Sequence, residues 1–484
     1  MHEGGWAPGW GGIVIWVTFA KTPIMSLITS ISGIRGTLGG RPGENLTPPD
    51  IVRFTTSFGT MLRKQKPEGR LHVVVGRDAR ISGPMVSDLV CATLTALGID
   101  VTDLGLSTTP TVELAVPGLR ADGGIILTAS HNPMEWNALK LLGPEGEFIT
   151  AEQGETVLAL ASDEIVYAPV QYLGSIRKDD TWIARHIERV VAHPMVDLHA
   201  IQRAQFTVAV DPVNSSGAVV VPALLHALGV EMVVMIHGET NGRFAHNPEP
   251  LPAHLADLAR ITREQADLGI AVDPDVDRLA LVCEDGSFFG EEYTLVAVAD
   301  HVLSRRPGNT VSNLSSTQAL GDVTARYGGK RFASAVGEVN VVRMMKEVQA
   351  VIGGEGNGGV ILPDLHYGRD ALIGIALFLT HLALSGKSAS QLRQQYPEYH
   401  IAKLKVDLPA GMDVDGVLDT LARRFPADDV DRSDGLWVSL GADWVHLRKS
   451  NTEPIIRIYA ESGNELRAQQ RAEQMMEAVR ACGK

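Results

Sequence analysis

The chain has 484 residues, which is too long for one hydrophobic core and predicts about three domains. Hydrophobic residues make up 45% and charged residues 21%, a composition typical of globular proteins. The 43 basic and 57 acidic residues give a net charge of -14 with no dense basic block, so nucleic acid is not an expected partner.

The N-terminal segment and the cysteines bear on where the protein works. The apolar run at 12–20 is too short to span a bilayer, and no Lys or Arg precedes it as a secretory signal requires. We therefore expect no membrane association. We also expect residues 1–24 to be a non-native leader, with Met25 or Ser26 beginning the native chain. The 3 cysteines match neither a zinc spacing nor a disulfide framework, which indicates a reducing, cytoplasmic setting.

One order of elements occurs three times along the chain: strand, polar loop, helix, glycine, strand. This is a βαβ unit, and its recurrence predicts three related α/β domains. In the first unit the predicted strand, helix and strand lie at 71–76, 85–97 and 99–104. In the second unit they lie at 206–211, at 217–228 and from 230. In the third unit the strand begins near 309, the helix runs to about 327 and the last strand lies at 330–336.

From about residue 400 the pattern changes to short strands with two helices, which predicts a small α+β domain with an antiparallel sheet. The fold class is therefore α/β, with three related mixed α/β domains and a C-terminal α+β domain. The predicted domains are 25–175, 176–285, 286–395 and 396–484.

The pattern at 124–133 predicts a buried strand that breaks into a tight loop, because an apolar run ends in Thr-Ala-Ser-His-Asn-Pro. This geometry places Ser130 at a strand end. A bare serine hydroxyl is a weak nucleophile, so it needs a base or a metal ion, or it already carries the transferred group. His131 and Lys140 offer charge nearby. Ser, Asn and Pro are also ordinary turn residues, which leaves a plain turn as the alternative.

A second predicted strand, 266–272, delivers three carboxylates at alternate positions. Asp273, Asp275 and Asp277 can turn toward one point and supply the oxygen ligands that a hard divalent cation requires. A solvated acidic turn is one alternative. A calcium-binding EF-hand is another, with Glu284 at its twelfth position. The EF-hand is disfavoured because Arg278 stands where that loop needs glycine, and strands flank it.

The same loop is also consistent with a different enzyme class. The aspartyl-nucleophile phosphatases begin with an Asp-x-Asp motif that follows a strand. In that interpretation Asp273 attacks phosphate and Ser130 is incidental. The two chemistries differ in the product: an aspartyl phosphate is labile in base, whereas phosphoserine survives acid.

Two later loops carry groups suited to a sugar phosphate. The glycine-rich stretch 352–359 contains Glu355, which can accept hydrogen bonds from adjacent hydroxyls, and Asn357. The stretch 448–454 offers a guanidinium, hydroxyls, an amide and backbone N–H groups, a combination that can bind a phosphate dianion. Either stretch alone is also a plausible turn. The side chains of the second stretch are Arg448, Ser450, Asn451 and Thr452.

Taken together, these loops resemble those of the α-D-phosphohexomutases, and among them the chain looks closest to the phosphoglucosamine mutases. Residues 128–133 resemble the phosphoserine loop, 273–278 the metal loop and 448–454 the phosphate-binding loop, Arg-x-Ser-x-Thr-Glu-Pro. Gly-Ile-Arg-Gly at 33–36 and Gly-Arg-Asp-x-Arg at 76–80 resemble the N-terminal signatures, in which arginines between glycines can reach a phosphate.

Two of the loops depart from the family pattern. The metal loop usually has glycine where Pro274 and Val276 stand, although its ligand positions are intact. The sugar-recognition loop is commonly Gly-Glu-x-Ser-Gly-His, and here Asn357 replaces the serine and Gly359 the histidine. Glycine has no side chain that could act as an acid or base at that position.

The resemblance implies a four-domain enzyme around a central cleft and a phosphorylated Ser130 that exchanges its phosphoryl group with a hexose monophosphate through a bound 1,6-bisphosphate. It implies Mg²⁺ held by Ser130, Asp273, Asp275 and Asp277. Lys140, with Arg35 or His131 as alternatives, would move the hydroxyl proton, and such a lysine needs a lowered pKa. The implied substrate contacts are Arg278, Glu355, Asn357, Arg448, Ser450, Asn451 and Thr452.

The Glu-x-Asn form of the sugar loop resembles that of acetylglucosamine phosphomutases and archaeal-type phosphoglucosamine mutases, which favours an amino sugar. The expected reaction is therefore the interconversion of glucosamine 6-phosphate and glucosamine 1-phosphate. A phosphomannomutase or phosphoglucomutase is the alternative within the family, and a non-catalytic sugar-phosphate binder is the alternative outside it. The expected partner is a small-molecule sugar phosphate, and the expected assembly is a monomer or homodimer.

Overall fold

Four β-sheets follow one another along the chain, in the predicted order of three α/β units and one α+β unit. The computed structural model describes residues 26–30, 33–407, 413–449 and 455–482. The predicted leader with Met25 lies outside the described residues, and so do three of the predicted phosphate contacts, Ser450, Asn451 and Thr452.

The first domain is built on a seven-stranded mixed sheet of order β1-β2-β6-β5-β3-β4-β7. Its central strand β3 carries an unbroken valine run that is buried on both faces, as expected for a parallel strand covered by helices on each side. The elements are β1 (Ile28–Ser30), β2 (Gly33–Thr37), α1 (Pro48–Gln65), β3 (His72–Arg77), α2 (Gly83–Ala96), β4 (Asp100–Leu106), α3 (Thr109–Gly118), β5 (Gly123–Leu127), β6 (Trp136–Leu142), α4 (Ala151–Leu160) and β7 (Ile176–Lys178).

The predicted parallel pair of this domain is confirmed, because β3 pairs with β4 in parallel around α2. The edge strand β7 pairs with β4 as well. The predicted boundary assigned these residues to the second domain, so the first sheet extends a few residues further along the chain than expected.

The second domain has a four-stranded sheet of order β11-β10-β8-β9, in which β8 and β9 form the second predicted parallel pair. The strand β10 lies at its centre and runs directly into the aspartate loop. The elements are α5 (Trp182–Val191), α6 (Leu198–Ala204), β8 (Thr207–Asp211), α7 (Gly217–Ala227), β9 (Met232–Met235), α8 (Ala256–Gln265), β10 (Leu268–Val272) and β11 (Leu279–Cys283).

The third domain repeats this plan with the sheet order β13-β12-β14-β15. Its apolar helix α12 packs against helices of both domains, and one continuous hydrophobic core spans the second and third domains. The elements are α9 (Glu291–Arg305), β12 (Thr310–Asn313), α10 (Ala319–Arg326), β13 (Arg331–Ser334), α11 (Glu338–Glu347), β14 (Ile352–Glu355), β15 (Gly359–Ile361), α12 (Ala371–Ser385) and α13 (Ala389–Arg393).

The fourth domain is the predicted α+β unit, and its five-stranded sheet, of order β16-β20-β19-β18-β17, is antiparallel throughout. It has a hydrophobic core of its own. The elements are β16 (His400–Asp407), α14 (Val414–Ala422), β17 (Val430–Asp431), β18 (Leu436–Leu440), β19 (Asp443–Lys449), β20 (Ile455–Ser462) and α15 (Glu465–Cys482). Across the described ranges, the helices are all too short or too polar to traverse a lipid bilayer.

Candidate active site

Ser130 lies in a tight loop immediately after β5, as predicted. Its backbone is left-handed, with φ of 49°, a conformation that non-glycine residues rarely adopt and that marks a tightly specified loop. The Ser130 N–H donates a 2.9 Å hydrogen bond to Oγ1 of Thr128. The Ser130 hydroxyl in turn donates a 2.8 Å hydrogen bond to Oδ2 of Asp273 in the second domain.

Arg80 is fully buried and holds the serine loop in place. Its guanidinium donates to the carbonyl oxygen of Ser130 at 2.5 Å and pairs with Asp78 at 3.0 Å. The guanidinium is thus occupied by the loop's main chain, so Arg80 supports the serine loop in this structure. The other carbonyl oxygens that accept from Arg80 belong to Asn132, Pro133 and Trp136.

The three predicted metal ligands converge. Asp273, Asp275 and Asp277 are each fully buried, and one oxygen atom from each lies within 4.8 Å of the others. Between the last two, Val276 has φ of 62°, a strained value for a β-branched residue and one that glycine would adopt freely. The loop in this chain therefore keeps the glycine-like backbone that the family pattern has at this place.

Each of these carboxylates is oriented by a partner outside the cluster. Oδ2 of Asp275 accepts hydrogen bonds from Thr109 at 2.6 Å and from Lys140 at 2.7 Å. Oδ2 of Asp277 accepts one from Arg369 at 2.7 Å. The remaining Oδ1 atoms of Asp275 and Asp277 are buried and have no hydrogen-bond partner among the described residues. Buried carboxylate oxygens without partners are costly, so this donor set fits a hard cation.

The charges within the aspartate cluster also favour a bound cation. Burial, together with the charges of Asp277 and Asp275, raises the pKa of Asp273 well above its usual range. Burial would also raise the pKa of Asp275, but the Lys140 ammonium and the Thr109 hydroxyl outweigh burial and lower it. One carboxylate of the cluster, Asp273, is thus left without enough positive charge around it.

Lys140 reaches this cluster from β6, but its protonation differs from the expectation. Burial alone would lower the pKa of its ammonium, yet Asp275 and Asp277 outweigh burial and raise it. The expected lowered pKa is therefore wrong for the arrangement shown here. The sequence could not show this because both carboxylates come from a loop more than a hundred residues away.

Three further predicted site residues, His131, Arg278 and Arg35, interact with the serine loop, with the aspartate cluster or with one another. His131 Nδ1 is 3.4 Å from the Ser130 hydroxyl, and burial with the nearby Arg278 charge lowers the pKa of His131 well below its usual value. Arg278 lies 3.6 Å from Glu249 and 3.9 Å from Asp277. Burial and the Arg278 charge also lower the pKa of Arg35, which places Arg35 in the same cluster.

The sugar-recognition loop packs directly on the metal loop. Gly358 has φ of 84°, and a Cβ atom there would lie 2.2 Å from the carbonyl oxygen of Leu279, so only glycine fits. Oε1 of Glu355 accepts hydrogen bonds from Asn313 and from the backbone N–H of Gly337.

The Glu355 carboxylate is held in its ionised form. Burial would raise the pKa of Glu355, but Arg369 and these hydrogen bonds outweigh burial and lower it. Asn357 is half-buried in the same turn, and its side-chain oxygen accepts from the N–H of Gly359.

Arg369 is the main residue that sequence reasoning missed. It lies just before α12 and is buried, and its guanidinium pairs with three carboxylates from two domains. The available signal was an Arg-Asp pair directly preceding a long apolar helix, since charges in such a place must be paired if they are buried.

Of the four predicted phosphate contacts, Arg448 is the one that the structure describes. It lies in β19 with its Nε 3.0 Å from Oδ2 of Asp434. The same Asp434 oxygen accepts from the N–H of Val336, one residue before the Gly337 N–H that binds Glu355. Arg448 is therefore linked through Asp434 to the segment of the third domain that binds Glu355.

The two alternatives for the aspartate loop do not match this geometry. Glu284 binds Ser390 at the start of α13, and the strands β10 and β11 flank the loop, so it is not an EF-hand. Oδ1 of Asp273 accepts the N–H groups of residues 277 and 278, and its Oδ2 accepts the Ser130 hydroxyl. With both oxygens engaged, Asp273 is not poised as a nucleophile.

Comparison with known families matches the chain along most of its length. Domains I, II and III of phosphoglucomutase/phosphomannomutase match residues 26–166, 184–286 and 290–399, and the C-terminal domain of the same family matches 404–478. The chain belongs to this family, the α-D-phosphohexomutases. It is an enzyme of the phosphomutase class of isomerases.

Several relatives of this phosphohexomutase are similar over nearly their full length. The phosphoglucomutase/phosphomannomutase of Thermococcus kodakarensis is 36% identical over 90% of this chain and 96% of its own. The probable phosphoglucosamine mutase of Methanopyrus kandleri is 34% identical over 93% and 97%. The phosphoglucosamine/phosphogalactosamine mutase of Sulfurisphaera tokodaii is 29% identical over 91% and 96%.

Solved structures share the four-domain arrangement. A phosphoglucomutase/phosphomannomutase family protein from Burkholderia thailandensis aligns with a TM-score of 0.80 at 27% identity, covering 95% of this chain and 97% of its own. The N-acetylphosphoglucosamine mutase of Aspergillus fumigatus aligns with a TM-score of 0.56 at 14% identity, covering 95% and 96%, and shares the fold.

Proposed function

We propose that this phosphohexomutase interconverts glucosamine 6-phosphate and glucosamine 1-phosphate through phosphorylated Ser130 and a hexose 1,6-bisphosphate. The observation that carries the proposal is the 2.8 Å contact of the Ser130 hydroxyl with Asp273, beside two further buried carboxylates. This contact supports the proposal, because a phosphoryl group on Ser130 would adjoin carboxylates that can bind a cation. Phosphoryl transfer depends chiefly on such positioning and on charge neutralisation.

Asp273, Asp275 and Asp277 would hold Mg²⁺ together with an oxygen of the Ser130 phosphate. When bound, Mg²⁺ supplies positive charge that neutralises the transferring phosphoryl group. The buried Oδ1 atoms of Asp275 and Asp277, which accept no hydrogen bond among the described residues, support this assignment. Arg278, 11% exposed and adjacent to the metal loop, would steady the transferring group from the other side.

Phosphoryl transfer breaks the bond between Ser130 Oγ and phosphorus and forms a bond from phosphorus to a sugar hydroxyl oxygen, which gives up its proton. The sugar then turns end for end and returns its other phosphate to Ser130. Lys140 or His131 takes the proton, with Arg35 as the third candidate. His131 is supported by its lowered pKa, because a neutral imidazole can accept a proton. Lys140 is supported by its position at the cluster, but its raised pKa keeps it protonated in the arrangement shown, so it ranks after His131 as the acceptor.

Because the sugar binds in two orientations, Glu355 and Asn357 should contact hydroxyls that are presented similarly in both. Arg448, Ser450, Asn451 and Thr452 would hold the phosphate that is not reacting. The link from Arg448 through Asp434 to the sugar loop supports a common binding surface.

Glucosamine phosphate is favoured by the Glu-x-Asn loop and by the name of the Methanopyrus kandleri relative. A phosphomannomutase or phosphoglucomutase activity is the second candidate, supported by the name of the Thermococcus kodakarensis relative. The test is a side-by-side assay of glucosamine, mannose and glucose 1-phosphates with Mg²⁺ and the matching bisphosphate activator. The highest kcat/KM on glucosamine 1-phosphate is expected, and a clear preference for another hexose would replace the first candidate.

The state of the cysteines bears on the cellular setting. The three cysteines are unpaired, and Cys91 and Cys283 are buried, as in proteins of reducing compartments. We therefore assign the enzyme to the cytoplasm, acting on a small-molecule substrate as a monomer or homodimer without nucleic acid or membrane partners.

A further inference from the structure

The absence of a side chain at Gly359 makes room for Arg369. A Cβ atom at position 359 would lie 2.4 Å from Cδ of Arg369 and 3.0 Å from its Cγ, closer than atoms approach without displacement. Gly359 does not have a left-handed backbone, so conformational freedom is not what it provides. What it provides is space for the aliphatic stem of a buried arginine.

From that space the Arg369 guanidinium reaches three carboxylates. Its Nη2 donates to Asp277 of the metal loop at 2.7 Å, and its Nη1 donates to Glu355 of the sugar loop at 2.9 Å. Its Nε donates to Glu338 at the start of α11, also at 2.9 Å. All four side chains are at least nine-tenths buried.

We propose that Arg369 is a positioning residue that sets the sugar-recognition carboxylate of Glu355 and the metal ligand Asp277 relative to each other. This inference rests on the proposed function of the two loops. Binding of the sugar hydroxyls and binding of the cation are then coupled through one rigid guanidinium, so that each ligand strengthens the other.

The geometry of the guanidinium explains why arginine is needed. Its planar fork presents N–H groups in fixed directions, so two carboxylates on different edges are held at a fixed separation. The contact with Glu338 anchors a third edge and prevents rotation about the stem. A lysine has one flexible ammonium and cannot hold the three carboxylates in the same relation.

The orientation of each carboxylate matters for its ligand. With Oδ2 of Asp277 taken by Arg369, its partnerless Oδ1 remains for the cation. With Oε2 of Glu355 taken by Arg369, its Oε1 stays on Asn313 and Gly337 and the carboxylate plane is fixed toward the sugar. Removing a residue that orients a metal ligand without itself binding the metal typically changes metal affinity or activity by about 10- to 100-fold.

Gly359→Ala tests the proposal without replacing any proposed ligand, and its new Cβ would also lie 3.2 Å from the side-chain oxygen of Asn357, a contact that Arg369→Lys leaves unchanged. The new methyl group displaces the Arg369 stem, whereas the main chain at this position tolerates alanine. The matched control is Gly321→Ala in α10, where the new Cβ would lie 3.6 Å from Cδ of another arginine, Arg331, an ordinary contact. Arg369→Lys is the second variant, because it keeps the charge and loses the fork. Thermal melting checks that each variant is folded.

Two binding constants are measured in the absence of turnover. Calorimetry in EDTA reports the affinity for glucosamine 6-phosphate, and Mn²⁺ titration followed by electron paramagnetic resonance reports the affinity for the cation without sugar. We expect both affinities to fall by about tenfold in Gly359→Ala and in Arg369→Lys. We expect Gly321→Ala to match the wild type in both.

Wild-type affinities in the two folded variants would overturn the positioning role, and a loss at only one of the two sites would overturn the coupling. Failure of the proposed function looks different, because the unaltered enzyme would then bind and turn over no hexose phosphate. If the wild type is active on a hexose phosphate and the two variants keep wild-type binding constants for the sugar phosphate and the cation, only this inference is refuted and the proposed function stands.

Discussion

The Ser130 hydroxyl donates a 2.8 Å hydrogen bond to Oδ2 of Asp273, a residue 143 positions later in the chain. This contact joins the loop after β5 of the first domain to the loop after β10 of the second. Both partners are buried, Ser130 at 7% exposure and Asp273 at 0%. A phosphoryl group on Ser130 would therefore be placed at the aspartate cluster without any rearrangement of the two strands.

Replacing Ser130 by alanine should lower turnover by several powers of ten, the scale expected when a nucleophile is lost. The assay is hexose phosphate isomerisation, together with mass spectrometry of the wild type after incubation with the bisphosphate. Ser87→Ala is the matched control, because Ser87 has the same 7% exposure but lies in α2. Near-normal turnover in Ser130→Ala would remove the mechanism.

Replacing Asp275 by asparagine should chiefly weaken the dependence on Mg²⁺. The change removes one charge from the cluster and breaks the 2.7 Å contact with Lys140, so the Mg²⁺ concentration for half-maximal rate should rise at least about tenfold. The control is Asp285→Asn, an exposed carboxylate in the turn after β11. An unchanged Mg²⁺ titration would count against the metal loop.

Replacing Arg80 by methionine should lower both stability and activity. The change leaves the fully buried Asp78 without its charge partner, which costs about 3–5 kcal/mol in the free energy of unfolding. It also releases the main chain around Ser130, so kcat should fall even at temperatures where the variant is folded. Urea unfolding and steady-state rates provide the two measurements.

A surface arginine gives the comparison for that experiment. Arg260 pairs with Asp257 and Glu264 on the exposed face of α8. Such exposed pairs contribute at most about 1 kcal/mol, so Arg260→Met should leave unfolding and kcat nearly unchanged. Equal effects of the two substitutions would contradict the role of Arg80 as the support of the loop.

Acid should destabilise the protein through His301, which is buried between the second and third domains. Its Nε2 donates to the carbonyl oxygen of Met195 at 2.8 Å and its Nδ1 accepts from Arg305 at 2.9 Å, an arrangement that requires a neutral ring. Burial, offset in part by the Met195 contact and reinforced by Arg305, lowers the pKa of His301 from 6.5 to about 4.

The sign of the effect follows from proton binding. Between pH 6.5 and about 4 the unfolded chain takes up a proton at this residue that the folded chain does not, so stability falls as the pH falls. At pH 5 this amounts to on the order of 2 kcal/mol. Urea unfolding at pH 7 and pH 5 should show a smaller pH difference in His301→Gln than in wild type or in the exposed variant His226→Gln. An identical difference in all three proteins would exclude His301 as the cause.

The sequence was sufficient for those parts of the site whose signals are local. Ser130 and Asp273 each follow directly on an apolar strand, so strand periodicity together with the polar residues after it predicted both positions. The three βαβ units were predictable for the same reason, since each is read from a short stretch of chain.

Contacts between distant segments were not predictable. Arg369 acquires its role from residues 14, 31 and 92 positions away, on three different elements. The pKa of Lys140 was expected to be lowered, and it is raised because Asp275 arrives from 135 positions away. Arg80 was predicted only as part of an N-terminal signature, and the fold shows that main-chain carbonyl groups surround it. In each case the neighbours that decide the chemistry are set by tertiary packing.

Substrate binding should close the fourth domain over the other three. The second and third domains share one hydrophobic core, whereas the fourth has its own and meets the third through polar contacts. Ser315 lies 2.8 Å from His446, and Gln318 donates to Glu461, contacts that can exchange during a rotation more easily than apolar packing.

The proposed phosphate contacts supply the driving force for this closure, because Arg448 belongs to the fourth domain while Ser130 belongs to the first. Small-angle X-ray scattering should show a smaller radius of gyration with saturating glucosamine 6-phosphate than without it. In Arg448→Ala the ligand should no longer change the scattering curve, because the substrate phosphate then binds the fourth domain more weakly. Superimposable wild-type curves with and without the ligand would show instead that the four domains hold one arrangement throughout the reaction.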